Sequence, residues 1–237
     1  MRILTWNLDH GRHDPAVIEK QQRLLASHPN DACVLTEVPM SMSNEDAGRV
    51  LSPVERPGKL GPEAWVRIDA DGVEPCAIEL PLKRMAAAAR ATVGGEPFLV
   101  YGSVLPWRSA NTQADYLEGV GMSPDDLFAR VLGEQIRDIR ALRAEHPADT
   151  FIWAGDFNQP LSGTNAGFSN PQRQILQSAL DDLGLIAWNE HLDHANGESH
   201  AIDLICGPKD RAAHAERIDP VVDGFALSDH AGYLVQI

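Results

Sequence analysis

Three shortages in this sequence each exclude a class of protein. Cysteine is scarce: Cys33, Cys76 and Cys206 are odd in number and scattered among apolar runs, which excludes a secreted scaffold held together by disulfides. No apolar run approaches the roughly 20 residues that span a bilayer, and Met1-Arg2 leads into an amphipathic strand without a signal-peptide pattern. We therefore expect a soluble, cytoplasmic protein with reduced cysteines and no membrane span.

Positive charge is the third shortage. The 20 Lys and Arg residues face 34 Asp and Glu residues, which gives a formal net charge of −14. Because nonspecific affinity for nucleic acid comes mostly from Lys and Arg that displace counterions from phosphates, a long duplex is disfavoured as a substrate. An acidic protein can still carry a local basic patch, and Lys83, Arg84 and Arg90 are its best candidates.

The length and patterning of the chain predict one domain over residues 1–237, without internal repeats or a low-complexity linker. Start signals and apolar stripes predict three helices, which begin at Asp14-Pro15, Ser123-Pro124 and Asn170-Pro171 and end near His28, His146 and Gly184. Strand-like runs precede Asn7 and lie near 32–36, 64–69, 73–80, 85–93, 97–105, 150–154, 201–206 and 231–237. Gly94-Gly95 joins two of these runs as an antiparallel hairpin, which favours a two-sheet sandwich over a purely parallel sheet.

Five short polar motifs follow or interrupt apolar runs, in order from the first strand to the last. They read ILTWNLD at Ile3–Asp9, VLTE at Val34–Glu37, IWAGDFN at Ile152–Asn158, AIDLI at Ala201–Ile205 and LSDH at Leu227–His230. Carboxylates, amides and one imidazole at strand ends are the groups needed to hold a hard cation and to attack a phosphorus centre. Each motif is weak by itself, so their order and shared context carry the weight.

In this order the motifs resemble the endonuclease/exonuclease/phosphatase superfamily. That superfamily comprises metal-dependent phosphoesterases such as abasic-site endonucleases, pancreatic-type deoxyribonucleases, neutral sphingomyelinases and inositol polyphosphate phosphatases. The resemblance covers the whole chain. It implies an α/β, four-layer αββα sandwich of two mixed β-sheets with the helices outside, and a Mg²⁺ or Mn²⁺ cofactor at one edge.

The resemblance also implies a role for each polar motif residue. Glu37 is the principal metal ligand, Asp9 contributes to the water shell of the metal, and Asp229 completes the metal site or bonds to it. Asn7 holds the metal carboxylate or the phosphate. The alternative for Glu37 is a solvated strand end, and the alternative for Asn7 is a turn residue.

Four further residues are expected to act on the phosphate. Asp156 orients the attacking water and Asn158 donates its amide to a phosphoryl oxygen; an extended backbone predicts that both project to the same side. Asp203 is expected to pair with His230, which fixes the tautomer and favours the protonated imidazole. Whether His230 is a general base or a charge-stabilising imidazolium stays open.

Two segments depart from this pattern. Many superfamily members carry a histidine or tyrosine after the central strand that contacts the leaving group, whereas this chain has Val104 or its neighbour there. The leaving-group acid is therefore missing or supplied elsewhere. Trp107 and Arg108 can replace its contacts, and the polar segment at 109–121 is a candidate substrate loop. Zinc-type ligands occur at Glu190, His191, Asp193, His194, Glu198 and His200. A zinc site in this segment is a rival metal hypothesis. Because the ligands lie in a segment without helical spacing, we favour a solvated connection that leads to Asp203.

Three functions compete on these observations. The first is a metal-dependent phosphoesterase that acts, as a monomer, on a small or short phosphodiester or phosphomonoester. The second is a DNA endonuclease or exonuclease of the repair type. The third is a binding module without catalysis, which the retained polar set argues against, because buried polar groups are costly to keep.

Overall fold

The architecture is built from two six-stranded sheets and three helices. The computed structural model describes residues 1–42, 48–53, 64–78, 85–107, 121–164, 167–195, 197 and 199–237. The strands are β1 (Arg2–Asn7), β2 (Ala32–Val38), β3 (Arg49–Leu51), β4 (Ala64–Ala70), β5 (Glu74–Cys76), β6 (Ala86–Val93), β7 (Glu96–Val104), β8 (Thr150–Asp156), β9 (Leu185–Ala187), β10 (Asp203–Pro208), β11 (His214–Ile218), β12 (Val221–Val222), β13 (Phe225–Ala226) and β14 (Gly232–Gln236). The helices are α1 (Pro15–Ala26), α2 (Pro124–Glu145) and α3 (Asn170–Leu183).

Both sheets are mixed, as expected. The first has the strand order β11-β14-β1-β2-β4-β3 and the second has the order β5-β6-β7-β8-β10-β9. The pairs β1/β2 and β7/β8 are parallel, and the other strand pairs in the described residues are antiparallel. The predicted hairpin at Gly94-Gly95 is confirmed as β6–β7.

The main core lies between the two sheets and continues under α2 and α3. Ile3, Val34 and Val66 of the first sheet share it with Leu99 and Ile152 of the second. A Cβ at Gly102 would lie 2.7 Å from Cγ1 of Val66, so glycine there lets the sheets approach. The apolar face of α1 packs against the outer face of the first sheet. The order of layers is therefore helix, sheet, sheet, helix, which confirms the predicted sandwich.

The helix ends follow their capping residues. Oδ1 of Asp14 accepts a hydrogen bond from the backbone of Ala16 at 2.8 Å, and Ser123 and Ser169 cap α2 and α3 in the same way. Gly184 ends α3 at a φ of 70°, in the left-handed region where glycine carries no steric penalty. Among the described residues, no helix is both long and apolar enough to cross a membrane.

Short strands account for most differences from the sequence prediction. Within the run expected at 73–80, the described residues 73–78 contain the short strand β5. Residues 79–84, which include Lys83 and Arg84, lie outside the described residues. The strands β3, β9, β11, β12 and β13 have two to five residues each, too few to show a period of their own. Cys33 and Cys206 are buried and Cys76 is half-buried, and all three are free thiols.

Candidate active site

Five of the sequence-predicted site residues meet at one edge of the sandwich, where several strands end or begin. Asn7 ends β1, Glu37 is the second-last residue of β2, Asp156 ends β8, Asp203 begins β10, and His230 lies two residues before β14. In the antiparallel register of β8 and β10, Asp203 pairs directly with Asp156. Contacts of β1 with both β8 and β10 bring the residues of the two sheets together.

Asp156 is the centre of a buried hydrogen-bond network. Its Oδ2 accepts hydrogen bonds from Nδ2 of Asn7 and Nδ2 of Asn158, each at 3.0 Å, and its Oδ1 accepts one from the backbone N–H of Asn158 at 2.8 Å. Burial raises the pKa of this carboxyl, Asp203 and Glu37 raise it further, and His230 and the Asn158 hydrogen bond oppose them. The site therefore holds Asp156 rigidly and makes it more basic than an exposed aspartate.

The prediction that Asn158 continues an extended backbone is wrong. The strand ends at Asp156, and Asn158 has a φ of 51°. Its Nδ2 donates to the carbonyl oxygen of Leu105 at 2.9 Å as well as to Asp156. Both amide hydrogens are thus engaged within the protein, and the predicted donation to a phosphoryl oxygen would require one of them to change partner.

The predicted pair of Asp203 and His230 is present. Nδ1 of His230 lies 2.6 Å from Oδ2 of Asp203, which is fully buried. Burial alone would lower the pKa of His230, but Asp203, Asp156 and Asp229 outweigh it and raise this pKa well above 6.5. The geometry therefore favours the imidazolium over the neutral base.

The backbone on both sides of this pair is fixed by other hydrogen bonds. Oγ of Ser228 donates to the carbonyl of Asn7 at 2.7 Å and accepts from the backbone N–H of His230 at 3.0 Å, while Nε1 of Trp6 donates to the carbonyl of His230 at 3.0 Å. Asn189 brackets the start of β10 with hydrogen bonds to the carbonyl of Asp203 and the N–H of Ile205, each at 2.8 Å. Sequence reasoning missed Asn189, because an asparagine after β9 is equally typical of a turn.

The predicted metal residues lie on the outer side of the same site. Burial raises the pKa of Glu37, while His10, whose Nε2 lies 3.6 Å from Oε2 of Glu37, and a hydrogen bond with Asn7 oppose it. The backbone N–H of Asp9 donates to Oδ1 of Asn7 at 2.8 Å, and its carboxylate pairs with Nε of Arg12 at 2.9 Å. The Asn7 side chain therefore links Asp9 to Asp156, and its predicted role toward the metal carboxylate stays a prediction.

Asp229 is the most exposed of the three predicted metal residues. Its side chain is 66% exposed, and its Oδ1 lies 3.8 Å from Nε2 of His230. In the described part of the chain, the group of three His, Cys, Asp or Glu side chains with ligand atoms within 4.8 Å of one another is a different one, His194, Asp203 and His230. The predicted three-residue metal set therefore stays a prediction.

Left-handed backbone is concentrated at this edge. Positive φ values at residues other than glycine occur, within the described residues, at Asp9, His10, Arg12, Glu37, Asn158 and Asp223. All but Asp223 belong to the site or adjoin it. Because such conformations cost free energy at residues with a Cβ, they persist where the surrounding structure over-determines them, and they cluster at functional sites.

Two histidines that the sequence did not place also reach the site. His10 stands edge-on to Trp65, with 5.6 Å between the ring centroids. His194 stands edge-on to His230 at 5.0 Å and an interplanar angle of 89°. The interpretation of its segment as a solvated connection is wrong at His194, which is buried. The sequence offered one indication that part of this segment faces inward, namely the apolar residues Leu192 and Ala195, which pack against the core.

The other zinc-type residues of that segment are not part of the cluster of His194, Asp203 and His230, or they lie outside the described residues. His191 and Asp193 are exposed, Glu190 is half-buried, and Nδ1 of His200 lies 2.8 Å from Oγ of Ser162. Glu198 lies outside the described residues.

The position of the usual leaving-group residue is closed off. Val104 is completely buried, and its own backbone carbonyl accepts a hydrogen bond from Nε2 of Gln135 at 3.1 Å. The Val104 side chain therefore cannot contact a substrate. This agrees with its chemistry, since an aliphatic side chain offers no proton to a leaving group. Trp107 is half-buried, and Arg108 and the polar segment over 109–120 lie outside the described residues.

Comparisons with known proteins place the chain by its fold. No model of a protein family matches it, and no curated protein matches its sequence. The 3′ phosphatase NExo from Neisseria, solved with a product DNA hairpin, shares 18% identity at a TM-score of 0.71, over 100% of this chain and 99% of that one. An endonuclease/exonuclease/phosphatase family protein from Leptotrichia buccalis shares 14% at 0.62, over 100% and 99%. The human Nocturnin catalytic domain with bound sulfate shares 14% at 0.59, over 99% and 93%.

These structures have the same sandwich over nearly their whole length and over this whole chain. The protein has the endonuclease/exonuclease/phosphatase fold, and the resemblance found in its five motifs is confirmed at the level of the fold.

Proposed function

We propose that the protein is a metal-dependent phosphoesterase, which hydrolyses a phosphodiester or phosphomonoester with an activated water. The observation that carries this proposal is the convergence of Asp156, Asp203 and His230 with Glu37 and Asn7 at one edge of the sandwich. The fold neighbours lend support, since one is a 3′ phosphatase and another was solved with a bound sulfate.

The donor set fits a hard divalent cation. Glu37, Asp9 and Asp229 offer carboxylate oxygens, the ligands that Mg²⁺ and Mn²⁺ prefer. Burial raises the pKa of both Glu37 and Asp156, and the charge of Glu37 raises the pKa of Asp156 further. A nearby cation stabilises the ionised form of such buried, neighbouring carboxylates. Such a cation, when bound, supplies charge that polarises a phosphoryl oxygen.

Asp156 is the residue that we assign to the attacking water. Its carboxylate accepts three hydrogen bonds from Asn7 and Asn158, so its orientation is set before a substrate arrives. Burial makes it basic enough to accept a proton from water as the oxygen approaches phosphorus. Asn7 and Asn158 are positioning residues in this scheme.

His230 is the residue that we assign to the phosphoryl group. Asp203 occupies Nδ1, which leaves Nε2 as the donor that can face the substrate. An imidazolium there donates a hydrogen bond to a non-bridging oxygen and stabilises the charge that grows in the transition state. Asp203 acts through His230 by fixing its orientation and maintaining its charge.

We propose a small or short substrate, handled by a monomer in the cytoplasm. A cation and a few donors suffice to hold one phosphate, whereas a duplex requires a basic surface, and the chain carries a net charge of −14. A repair-type DNA endonuclease or exonuclease is the second candidate, and the NExo structure with its product DNA hairpin favours it. Conversely, a binding module would not need the buried charges of Asp156 and Asp203.

A substrate screen tests the proposal. Purified protein is incubated with Mg²⁺ or Mn²⁺ and with plasmid, abasic and single-stranded oligonucleotides, and with a panel of phosphodiesters and phosphomonoesters. We expect hydrolysis of at least one compact phosphoester that stops in excess chelator and returns with added metal. Hydrolysis that persists in excess chelator, or no hydrolysis of any substrate, would overturn the proposal.

A further inference from the structure

His194 lies beside the pair of Asp203 and His230, in a hairpin that an antiparallel bridge closes. Its backbone N–H donates to the carbonyl of Ser199 at 2.8 Å, and Asp193 and His200 form an isolated antiparallel bridge. The carbonyl of Asp193 accepts hydrogen bonds from the Tyr233 hydroxyl at 2.9 Å and from Nε of Arg217 at 3.0 Å. The hairpin is therefore anchored to β14 and β11, and the His194 ring has a defined position beside His230.

Two buried polar atoms in this cluster have no hydrogen-bond partner among the described residues. They are Nδ1 of His194 and Oδ1 of Asp203. His194 is 8% exposed and Asp203 is 0% exposed, so bulk water does not solvate these atoms freely. A buried polar atom without a partner is costly, and such atoms in native proteins commonly mark an ordered water or an ion.

The ligand atoms of His194, Asp203 and His230 lie within 4.8 Å of one another. Two imidazoles and one carboxylate form a ligand set that catalytic zinc sites also use. We propose that these three side chains form a binding site for one transition-metal cation of the Zn²⁺ type, separate from the Mg²⁺ or Mn²⁺ site at Glu37. The chain then carries two metal sites of different chemical character at the same edge.

The ligand chemistry separates the two sites. Imidazole nitrogen suits Zn²⁺, Co²⁺ and Ni²⁺, whereas Mg²⁺ selects oxygen donors and seldom binds imidazole. Zinc bonds of about 2.0 to 2.2 Å around a tetrahedral ion place ligand atoms roughly 3.3 to 3.6 Å apart. The 2.6 Å hydrogen bond between Nδ1 of His230 and Oδ2 of Asp203 must therefore open on binding, with release of the Nδ1 proton, while a rotation of the His194 side chain brings its nitrogen closer.

Occupancy of this site would inhibit the enzyme. Asp203 and His230 are the pair that the proposed hydrolysis uses, so a cation bound to Asp203 and to Nδ1 of His230 replaces their hydrogen bond and removes the pairing that keeps the imidazole charged. His194, in contrast, makes no side-chain hydrogen bond to the catalytic residues in the described structure. The inhibition rests on the proposed function, whereas the metal binding does not.

The first arm of the test measures binding alone. Full-length protein is freed of metal and titrated with Zn²⁺ by calorimetry, and with Co²⁺ by visible absorption, in excess Mg²⁺. The test variant is His194→Phe, which keeps an aromatic ring and removes both ligand atoms, with His194→Ala as a second variant. His214→Ala removes an exposed histidine beside Glu216 and serves as the matched control, and thermal unfolding verifies that every variant is folded.

We expect wild type and His214→Ala to bind one equivalent of Zn²⁺, and both His194 variants to bind it about tenfold more weakly or worse. The absorption of bound Co²⁺ should show tetrahedral nitrogen and oxygen ligation in wild type and lose it in the variants. Equal Zn²⁺ affinity in folded His194→Phe, or no stoichiometric Zn²⁺ binding by wild type, would overturn the proposed site.

The second arm measures hydrolysis of whichever substrate the screen identifies. We expect Zn²⁺ to inhibit the Mg²⁺-supported reaction of wild type and of His214→Ala. His194→Phe, compared with its own zinc-free rate, should resist inhibition at the same Zn²⁺ concentration. Zinc binding without inhibition would refute the regulatory part, and the absence of any hydrolysis would refute the proposed function while the binding arm still decides the site.

Discussion

The inner and outer sides of the candidate site differ in how tightly they are built. On the inner side, the buried Asp156 accepts hydrogen bonds from Asn7 and Asn158 at 3.0 Å, and the buried Asp203 pairs with His230 at 2.6 Å. On the outer side, the Asp9 side chain is 37% exposed and that of Asp229 is 66% exposed. The inner side is thus preorganised for chemistry, whereas the outer side keeps oxygen ligands that a cation can gather.

The largest expected effect comes from removing the Asp156 carboxylate, which is the centre of the inner side. Asp156→Asn keeps the shape of the side chain and eliminates the carboxylate that we assign to the attacking water. We expect kcat to fall by about 10²- to 10⁴-fold, because no neighbouring group replaces the lost base. Asp181→Asn is the control, since Asp181 is exposed and pairs with Lys209. Steady-state kinetics on the substrate from the screen decide the matter, and a rate near wild type would remove Asp156 from the mechanism.

The second prediction separates a positioning residue from a metal ligand on the inner side. Asp203→Asn should lower kcat by roughly 10²-fold with a modest change in KM, because charge stabilisation acts mainly in the transition state. His230→Ala should lower kcat at least as much. Magnesium affinity, measured by calorimetry, should stay close to wild type in both variants. Loss of magnesium binding in Asp203→Asn together with unchanged chemistry in His230→Ala would reverse the assignment.

The outer side should respond in the opposite manner. Glu37→Gln should weaken magnesium binding by about 10- to 100-fold, and high magnesium should restore much of the lost activity. The physical reason is that Glu37 supplies a charged oxygen ligand, whereas the inner network can persist without it. Glu216→Gln, at an exposed carboxylate on β11, is the matched control. Activity that no magnesium concentration restores would place Glu37 among the inner catalytic groups.

The pH dependence gives a further distinction between the two sides. The pKa of His230 is raised by Asp203 and other carboxylates against the effect of burial, so the active imidazolium persists at neutral pH. Its contribution is fully present below the ordinary pKa of 6.5 and is lost as pH rises through the raised pKa. Asp203→Asn should therefore move the basic limb of the kcat profile to lower pH, while Glu37→Gln at saturating magnesium should leave that limb in place. A basic limb that does not move in Asp203→Asn contradicts the assigned role.

The sequence predicted the inner side better than the outer one. Asp156 and Asp203 follow or begin apolar strands with a clear period, so their meeting at one sheet edge could be expected from the motifs alone. His230 could be expected only from its resemblance to the superfamily pattern, since it lies on no strand. The geometry of Asn158 was missed because a single residue at a φ of 51° leaves no mark in an apolar pattern.

The outer side depends on backbone that sequence patterns do not describe. Asp9, His10 and Arg12 lie in consecutive left-handed conformations around Gly11. In a sequence, glycine is the residue that indicates a left-handed turn, so the other three positions could not be predicted. His194 was missed for a related reason: its inward orientation comes from a hairpin anchored by Tyr233 and Arg217, which are distant in the chain. Local pattern predicts strand ends, whereas long-range contacts decide which side chains complete the site.

The smallest expected effect is that of salt concentration on binding and rate, which tests whether the outer side binds a DNA duplex. Each phosphate that a protein neutralises on double-stranded DNA contributes a slope of about −0.9 to a plot of log affinity against log salt. With a net charge of −14, we expect feeble duplex binding at physiological salt and hydrolysis of a compact phosphoester whose rate hardly changes with ionic strength. Gel-shift and nicking assays on plasmid and abasic duplex across a salt series measure this. Tight duplex binding at physiological salt together with efficient nicking would contradict the small-substrate proposal and favour the DNA endonuclease.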